Sequence, residues 1–422
     1  MEEASWGLMG RDVIGSSRRV RALGLGATVR NFNDAAVPGL GGLSYGKQLL
    51  WSLLGIHVAD IAKERGMRVS KVEVANAIEA MACIVALKTP PVPSGRIRGQ
   101  QKLHGKNFCA FSEARKSSFY VSQPMRMSLV QPLLHLGLVE QGATRFNAYV
   151  LSGKGHNFLE LACAPYSSAY QNKGAQKALL EWVMGKSEPW QSKALQECLN
   201  PSVQLSKKAK ILFRGLLDAD TRRRDALLWM QSIVEKSNPL SWAKKPAQLT
   251  PEHWHELHAG ALLFAARDAA IEVLETVEKQ LDKVASVSLS LHDVQVGPCL
   301  KLLRIAAQEF LNTGGNDTNA ITFCNGCIKT DETEVLRYLI DLDGRVLRLV
   351  EDKVLQGEAF QKGIGDSVSN SGSPDEQSPG EVDAVGDAAM DAFEQLPGIS
   401  YRIKNLLLIY RDLRSPALEK MQ

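Results

Sequence analysis

From Thr250-Pro251 to Val284 the chain carries no helix breaker apart from a lone Gly260. Threonine caps a helix start, and proline suits the first helical position, where its missing N–H is not needed. A helix of that length rises about 50 Å. Its seam of Trp254, Leu257, Ala261, Phe264, Ile271, Leu274, Leu281 and Val284 runs close to heptad spacing. Such a stripe needs other helices to cover it, from the same chain or from a partner. This one element steers the whole reading toward a helical bundle.

The totals set the frame around it. At 422 residues the chain is too long for one core, so two or three domains are expected. Apolar residues make up 45% and charged residues 23%, an ordinary globular balance. A net charge of +4 excludes a chain-wide polyelectrolyte binder and confines any nucleic-acid site to a local basic patch. The first residues hold acids where a signal peptide needs bases, and no run approaches the roughly 20 apolar residues that span a bilayer. Seven scattered cysteines suit a reducing compartment. A cytoplasmic protein without a membrane partner is therefore expected.

Residues 1–44 form a Gly/Arg-rich arm expected to have little regular structure. Leu50, Leu53, Leu54, Val58 and Ile61 fall on one helical face between Gly46 and Arg65. Ser70 and Glu73 make a capping box for a helix that buries Val74, Ile78, Met81 and Val85 and stops before Pro90. Helices are also expected around Leu179–Met184, stopped by Gly185, and from Thr221 to about Lys236. Residues 164–311 read as a helical bundle and 312–361 as a small mixed α/β unit with a turn at Asp341–Gly344 before a strand. Residues 362–390 read as a disordered acidic linker. Residues 391–422 carry a tethered terminal helix, Ile399–Leu413.

The stretch Leu129–Leu161 has the sharpest local pattern. A helix bearing Arg126, Leu129, Leu133 and Leu136 ends at Gly137. Leu138-Val139-Glu140 then opens a ribbon in which Phe146, Ala148 and Val150 alternate with Arg145, Asn147 and Tyr149. Gly153 and Gly155 precede the next helix. This order resembles the recognition helix and wing of a winged-helix domain, here drawn over 45–163. The resemblance implies that Ser122, Gln123, Arg126 and Ser128 face a duplex, with Arg145 on the wing and Lys154 just after it. Pro132 and a long basic loop depart from the family pattern. That loop adds Arg96, Arg98, Lys102, Lys106, Arg115 and Lys116, interleaved with Phe108, Phe111, Phe119 and Tyr120. The alternative for it is a solvated loop whose aromatic rings tuck into the core.

Other features carry weaker chemistry. Cys324 and Cys327 have the spacing of half a zinc site, without a second pair. Structural zinc is the one cofactor weighed, against ordinary reduced thiols. His253, His255 and His258 do not make an HExxH motif. Arg222–Arg224 are expected to pair with nearby acids. Asp268 falls on the seam of the long helix and would need a partner if buried. No P-loop, dinucleotide-binding or nucleophile-elbow pattern appears.

The expected fold class is mainly α: an N-terminal winged-helix-like domain, an α-helical bundle and a small mixed unit. The expected function is non-catalytic binding of double-stranded DNA, with the helical body joining a protein partner or a second copy. The alternative is a scaffold subunit of a nucleic-acid-processing or phage-defence complex whose winged helix contacts protein.

Overall fold

A computed structural model describes residues 21–89, 97–140, 142, 145–167, 174–236, 240–284, 288–360 and 392–414. The chain is mainly helical, with one small three-stranded antiparallel sheet. The described residues fall into two compact units. One takes those of Asn31–His258 and Asp375–Gln422, the other those of Met1–Arg30 and Ala259–Pro374.

Helix α1, Gly26–Ala36, lies inside the segment expected to lack regular structure. Leu25, Val29, Val37, Leu40 and Leu43 are buried around it, so apolar residues scattered among glycines suffice to anchor this stretch. Helices α2 (Gly46–Glu64) and α3 (Lys71–Lys88) form the centre of the larger unit. Both are apolar on nearly every side, the pattern of an interior helix rather than a surface one. They cross where Gly55 meets Ala75. A Cβ on Gly55 would lie 2.4 Å from the Ala75 Cβ, so only glycine permits this approach. The capping box closes as the spacing predicts, with Glu73 N–H donating to Ser70 Oγ (3.1 Å) and Ser70 N–H to Glu73 Oε2 (2.7 Å).

Two single-turn helices follow, α4 (Gln100–Leu103) and α5 (Phe111–Ala114), then α6 (Val130–His135) and α7 (Gly153–Cys163). Among the described residues no winged helix is located in the N-terminal third. Where a wing is expected there is one antiparallel bridge, Val139 to Leu151. It is flanked by Glu140 N–H to Val150 O (2.9 Å) and Ser152 N–H to Leu138 O (3.1 Å). Residues 146–148 then coil into a 3-10 turn. The reason lies in two rings. In a strand, Phe146 and Tyr149 would point to opposite faces. A 3-10 turn aligns residues three apart, so both enter the same core, their centroids 5.9 Å apart.

The remaining helices of this unit are α8 (Ala175–Val183), α9 (Lys193–Leu199), α10 (Lys207–Asp218) and α11 (Thr221–Lys236). Gly185 beyond α8 has φ +68°, the left-handed stop that the sequence predicts. The long helix is α12, Pro251–Lys283. Asp268 is exposed on it and pairs with its own neighbour Arg267 at 2.8 Å, so it is not a buried carboxylate on the seam.

In the smaller unit, α13 (Gly297–Thr313), α14 (Thr318–Cys327) and α15 (Glu332–Asp343) accompany strands β1 (Ser288–Ser290), β2 (Leu347–Val350) and β3 (Lys353–Gln356). The strand order is β1-β3-β2, with Leu289 and Leu349 both opposite Val354. Gly344, at φ +57°, turns the chain from α15 toward β2. Arg21 is buried here between Glu278 (2.8 Å) and Asp343 (3.4 Å). Burial pushes the Asp343 carboxyl above its ordinary value even with Arg21 beside it. The terminal helix, α16 (Tyr401–Leu413), packs on α11 in the larger unit, and its Arg402 reaches Asp34, Gln131 and the Val37 carbonyl. No described helix is long and apolar enough to cross a membrane.

Candidate nucleic-acid interface

The basic segment folds around a carboxylate that the sequence reading passed over. Glu79 sits in the middle of α3 and is 2% exposed. It accepts from the Tyr120 hydroxyl (2.7 Å), the Met125 N–H (2.6 Å) and the Arg126 N–H (3.0 Å). The last two open the 3-10 turn Met125–Leu129, so a buried carboxyl group caps the very segment expected to begin a recognition helix. Burial pushes the Glu79 carboxyl up, against the pull of these three donors. The Tyr120 hydroxyl is raised well above its usual value by burial, and the Cys83 thiol beside it is pushed up to about 12.

The loop cations close on the chain itself. Arg98 donates to the Gln123 carbonyl (3.0 Å), Lys102 to Tyr120 O (2.7 Å) and Lys106 to Phe119 O (3.1 Å). These three side chains, four residues apart, stitch one limb of the loop to the other. Lys106 also lies over the Phe119 ring at 4.1 Å. Arg115 pairs with Glu73 at 2.7 Å and stacks on Phe111. Phe111, Phe119 and Tyr120 are buried, which is the core-tucked alternative weighed for these rings.

Arg126 is turned inward as well. It is 9% exposed, donates from Nε to Asn76 Oδ1 (2.8 Å) and lies over the Phe146 ring at 5.0 Å. The outer side of α6 is covered by residues 39–42, where a Cβ on Gly39 or Gly41 would strike His135 or Ser128. Gln131 on the same helix is held by Asp34 and Arg402. Ahead of this helix, Arg126 is buried, Gln123 is half-buried and Ser122 is exposed.

Four of the expected binding residues are exposed, Lys102 among them with its Nζ on the Tyr120 carbonyl. Lys116, Arg145 and Lys154 are exposed, and no side-chain hydrogen bond or ion pair engages them among the described residues. Arg96 lies outside the described residues. Cys324 and Cys327 are buried in α14, and burial pushes both thiols up, Cys324 to about 12, so they stay protonated. No group of three or more His, Cys, Asp or Glu that could hold a metal forms among the described residues. His253 is buried on the Ala36 carbonyl (2.9 Å), and His258 stacks on Trp242. Arg222 pairs with Glu256 and Arg224 with Asp225, while Arg223 is buried on the main-chain carbonyls of Pro38, Leu216 and Leu217.

No family model matches the chain, and no curated protein or solved structure does either.

Proposed function

We propose that this chain is a non-catalytic protein that binds double-stranded DNA through its phosphates. The supporting observation is the split among its cations. Among the cations expected at the interface, Arg98, Lys102, Lys106, Arg115 and Arg126 are tied into the fold, while Lys116, Arg145 and Lys154 are exposed to solvent. Exposed cations of this kind suit backbone contacts, which position a protein without reading sequence. Base readout through Gln123 and Arg126 is not part of the proposal. A salt-titrated shift assay on random duplex DNA tests it. The triple change Lys116→Ala, Arg145→Ala, Lys154→Ala should flatten the log–log salt slope by roughly 0.9 per lost contact. No binding at low salt, or a slope indifferent to the triple change, overturns it.

A second reading, a scaffold subunit of a multiprotein nucleic-acid-processing assembly, draws on a different surface. Leu302 (56% exposed) and Ile305 (47% exposed) stand three residues apart on α13. Co-purification of a stoichiometric protein partner that Leu302→Asp releases, in the absence of DNA binding, would favour it.

A further inference from the structure

A cleft of about 430 Å³ opens on the larger unit where the end of α8 meets α5. Its size falls in the range of small-molecule sites, about 300–1,000 Å³. The turn after α8 forms part of its wall. Gly185 N–H donates to Trp182 O (2.9 Å) and Lys186 N–H to Glu181 O (2.8 Å), the paired bonds of a Schellman stop. The turned chain brings Met184, Lys186 and Ser187 to the cleft, where Met67, Phe111 and Arg115 join them. Trp182 is 1% exposed, is met edge-on by Phe111 (5.3 Å) and Trp190 (4.8 Å), and donates from Nε1 to the Cys109 carbonyl (2.9 Å). Rings buried this deeply offer no face for a planar ligand to stack on. The half-buried apolar side chains are the thioethers of Met67 and Met184, which adapt to a flexible partner.

The polar groups of the lining are short of an acceptor. Ser187 Oγ is buried with no hydrogen-bond partner among the described residues, although such atoms are nearly always paired. Arg115 uses Nε and Nη2 on Glu73 and the Arg68 carbonyl, and no hydrogen bond engages its Nη1 among the described residues. Lys186 is exposed, and no side-chain hydrogen bond or ion pair engages it among the described residues. Arginine and lysine only donate, and a serine hydroxyl can donate, so one accepting group answers all three. Glu73 already offsets Arg115, and Glu188 is the one acid of the lining, which suits a single negative charge rather than a polyanion.

We propose that this cleft binds a medium-chain aliphatic monocarboxylate. Its chain lies along Met67 and Met184, and its carboxylate accepts from Ser187 Oγ, with Arg115 and Lys186 supplying the charge. Ser187 as a residue is half-buried, and a change of its χ1 rotamer turns the hydroxyl toward the ligand without breaking an existing bond. The site does not depend on DNA binding.

Isothermal titration of the full chain with octanoate tests this. The expected result is saturable binding of one octanoate per chain, tighter than hexanoate by about fourfold for each added methylene. Binding of 1-octanol, which has the chain without the carboxylate, should be weaker. Ser187→Ala removes a hydroxyl that bonds nothing else in the fold, so its melting temperature should match the wild type while octanoate binding weakens by about tenfold or more. No saturable binding at millimolar octanoate, a Kd indifferent to Ser187→Ala, or 1-octanol binding as tightly as octanoate overturns the proposal. A lowered melting temperature for Ser187→Ala overturns it too, because the hydroxyl would then be engaged by the fold.

Discussion

Two stretches of the larger unit carry the same kind of charge and put it to opposite uses. In residues 98–126 the lysines and arginines, Lys116 apart, point at carbonyl, amide or carboxylate oxygens of their own chain. In residues 145–154 Arg145 and Lys154 point at solvent. The difference shows that a basic run with interleaved aromatic residues is not by itself a binding surface. A loop with little periodic structure must satisfy its main-chain carbonyls somehow. Long cationic side chains reach across and do so, with the aromatic rings packed beneath them.

If the first stretch is structural, breaking its hub should have the largest effect. Glu79→Ala removes the acceptor of one hydroxyl and two main-chain N–H groups in a buried site. The expected loss is about 1–3 kcal/mol for each donor left unmet, read as a drop in the urea midpoint. A midpoint unchanged by Glu79→Ala would mean that residues 120–126 are not held as described. Arg126→Ala comes next. It leaves Asn76 Oδ1 without its donor and uncovers Phe146, for an expected cost of about 1–3 kcal/mol. Its affinity for duplex DNA, measured on the folded fraction, should stay at the wild-type value. A selective loss of affinity without loss of stability would return Arg126 to the interface.

The Arg115–Glu73 pair allows a finer test by pH. Burial pushes the Glu73 carboxyl up, but the hydrogen bonds from Arg115 and Ser70 outweigh it and hold the group below its ordinary value. A carboxyl depressed in the folded state stabilises above its unfolded pKa. It loses that contribution as pH falls through the folded value. The melting temperature should therefore decline on acidification by an increment that Glu73→Gln lacks. Because both partners are about one-third exposed, the increment is under about 1 kcal/mol. Parallel melting curves for the two proteins across the carboxylate range would remove the pair from the account.

Much of the helical frame was legible because its signals are local. The Ser70 box, Thr250-Pro251 and Gly185 each act within one turn, and each marks an end that the structure has. The wing was not legible, because the choice between a strand and a 3-10 turn at Phe146–Tyr149 depends on where the core lies. Asp268 misled for a related reason: heptad spacing does not fix which side of a long helix its neighbours cover. The loop charges were ambiguous in principle, since a lysine bound to a carbonyl and a lysine in water have the same sequence. Glu79 did leave a trace. It is a lone acid within the apolar run from Val74 to Val85, and a buried carboxylate there demands donors from elsewhere in the chain. The cationic segment that supplies them follows after Pro93.

The smallest stability effect falls on the residues proposed to matter most for binding. Arg145→Ala and Lys154→Ala remove charges that no side-chain hydrogen bond or ion pair engages among the described residues, so the folded state should change by less than about 0.5 kcal/mol. Their effect should appear instead in the salt dependence of DNA binding, as a shallower slope that is the same for unrelated duplex sequences. That pattern is the reverse of the one expected for Arg126→Ala, which costs stability and leaves the slope alone. Carrying both variants through the same denaturation and shift assays therefore sets the two regions directly against each other. If Arg145→Ala and Lys154→Ala unfold the protein as readily as Arg126→Ala does, the exposed cations are structural too, and the division drawn between these stretches fails.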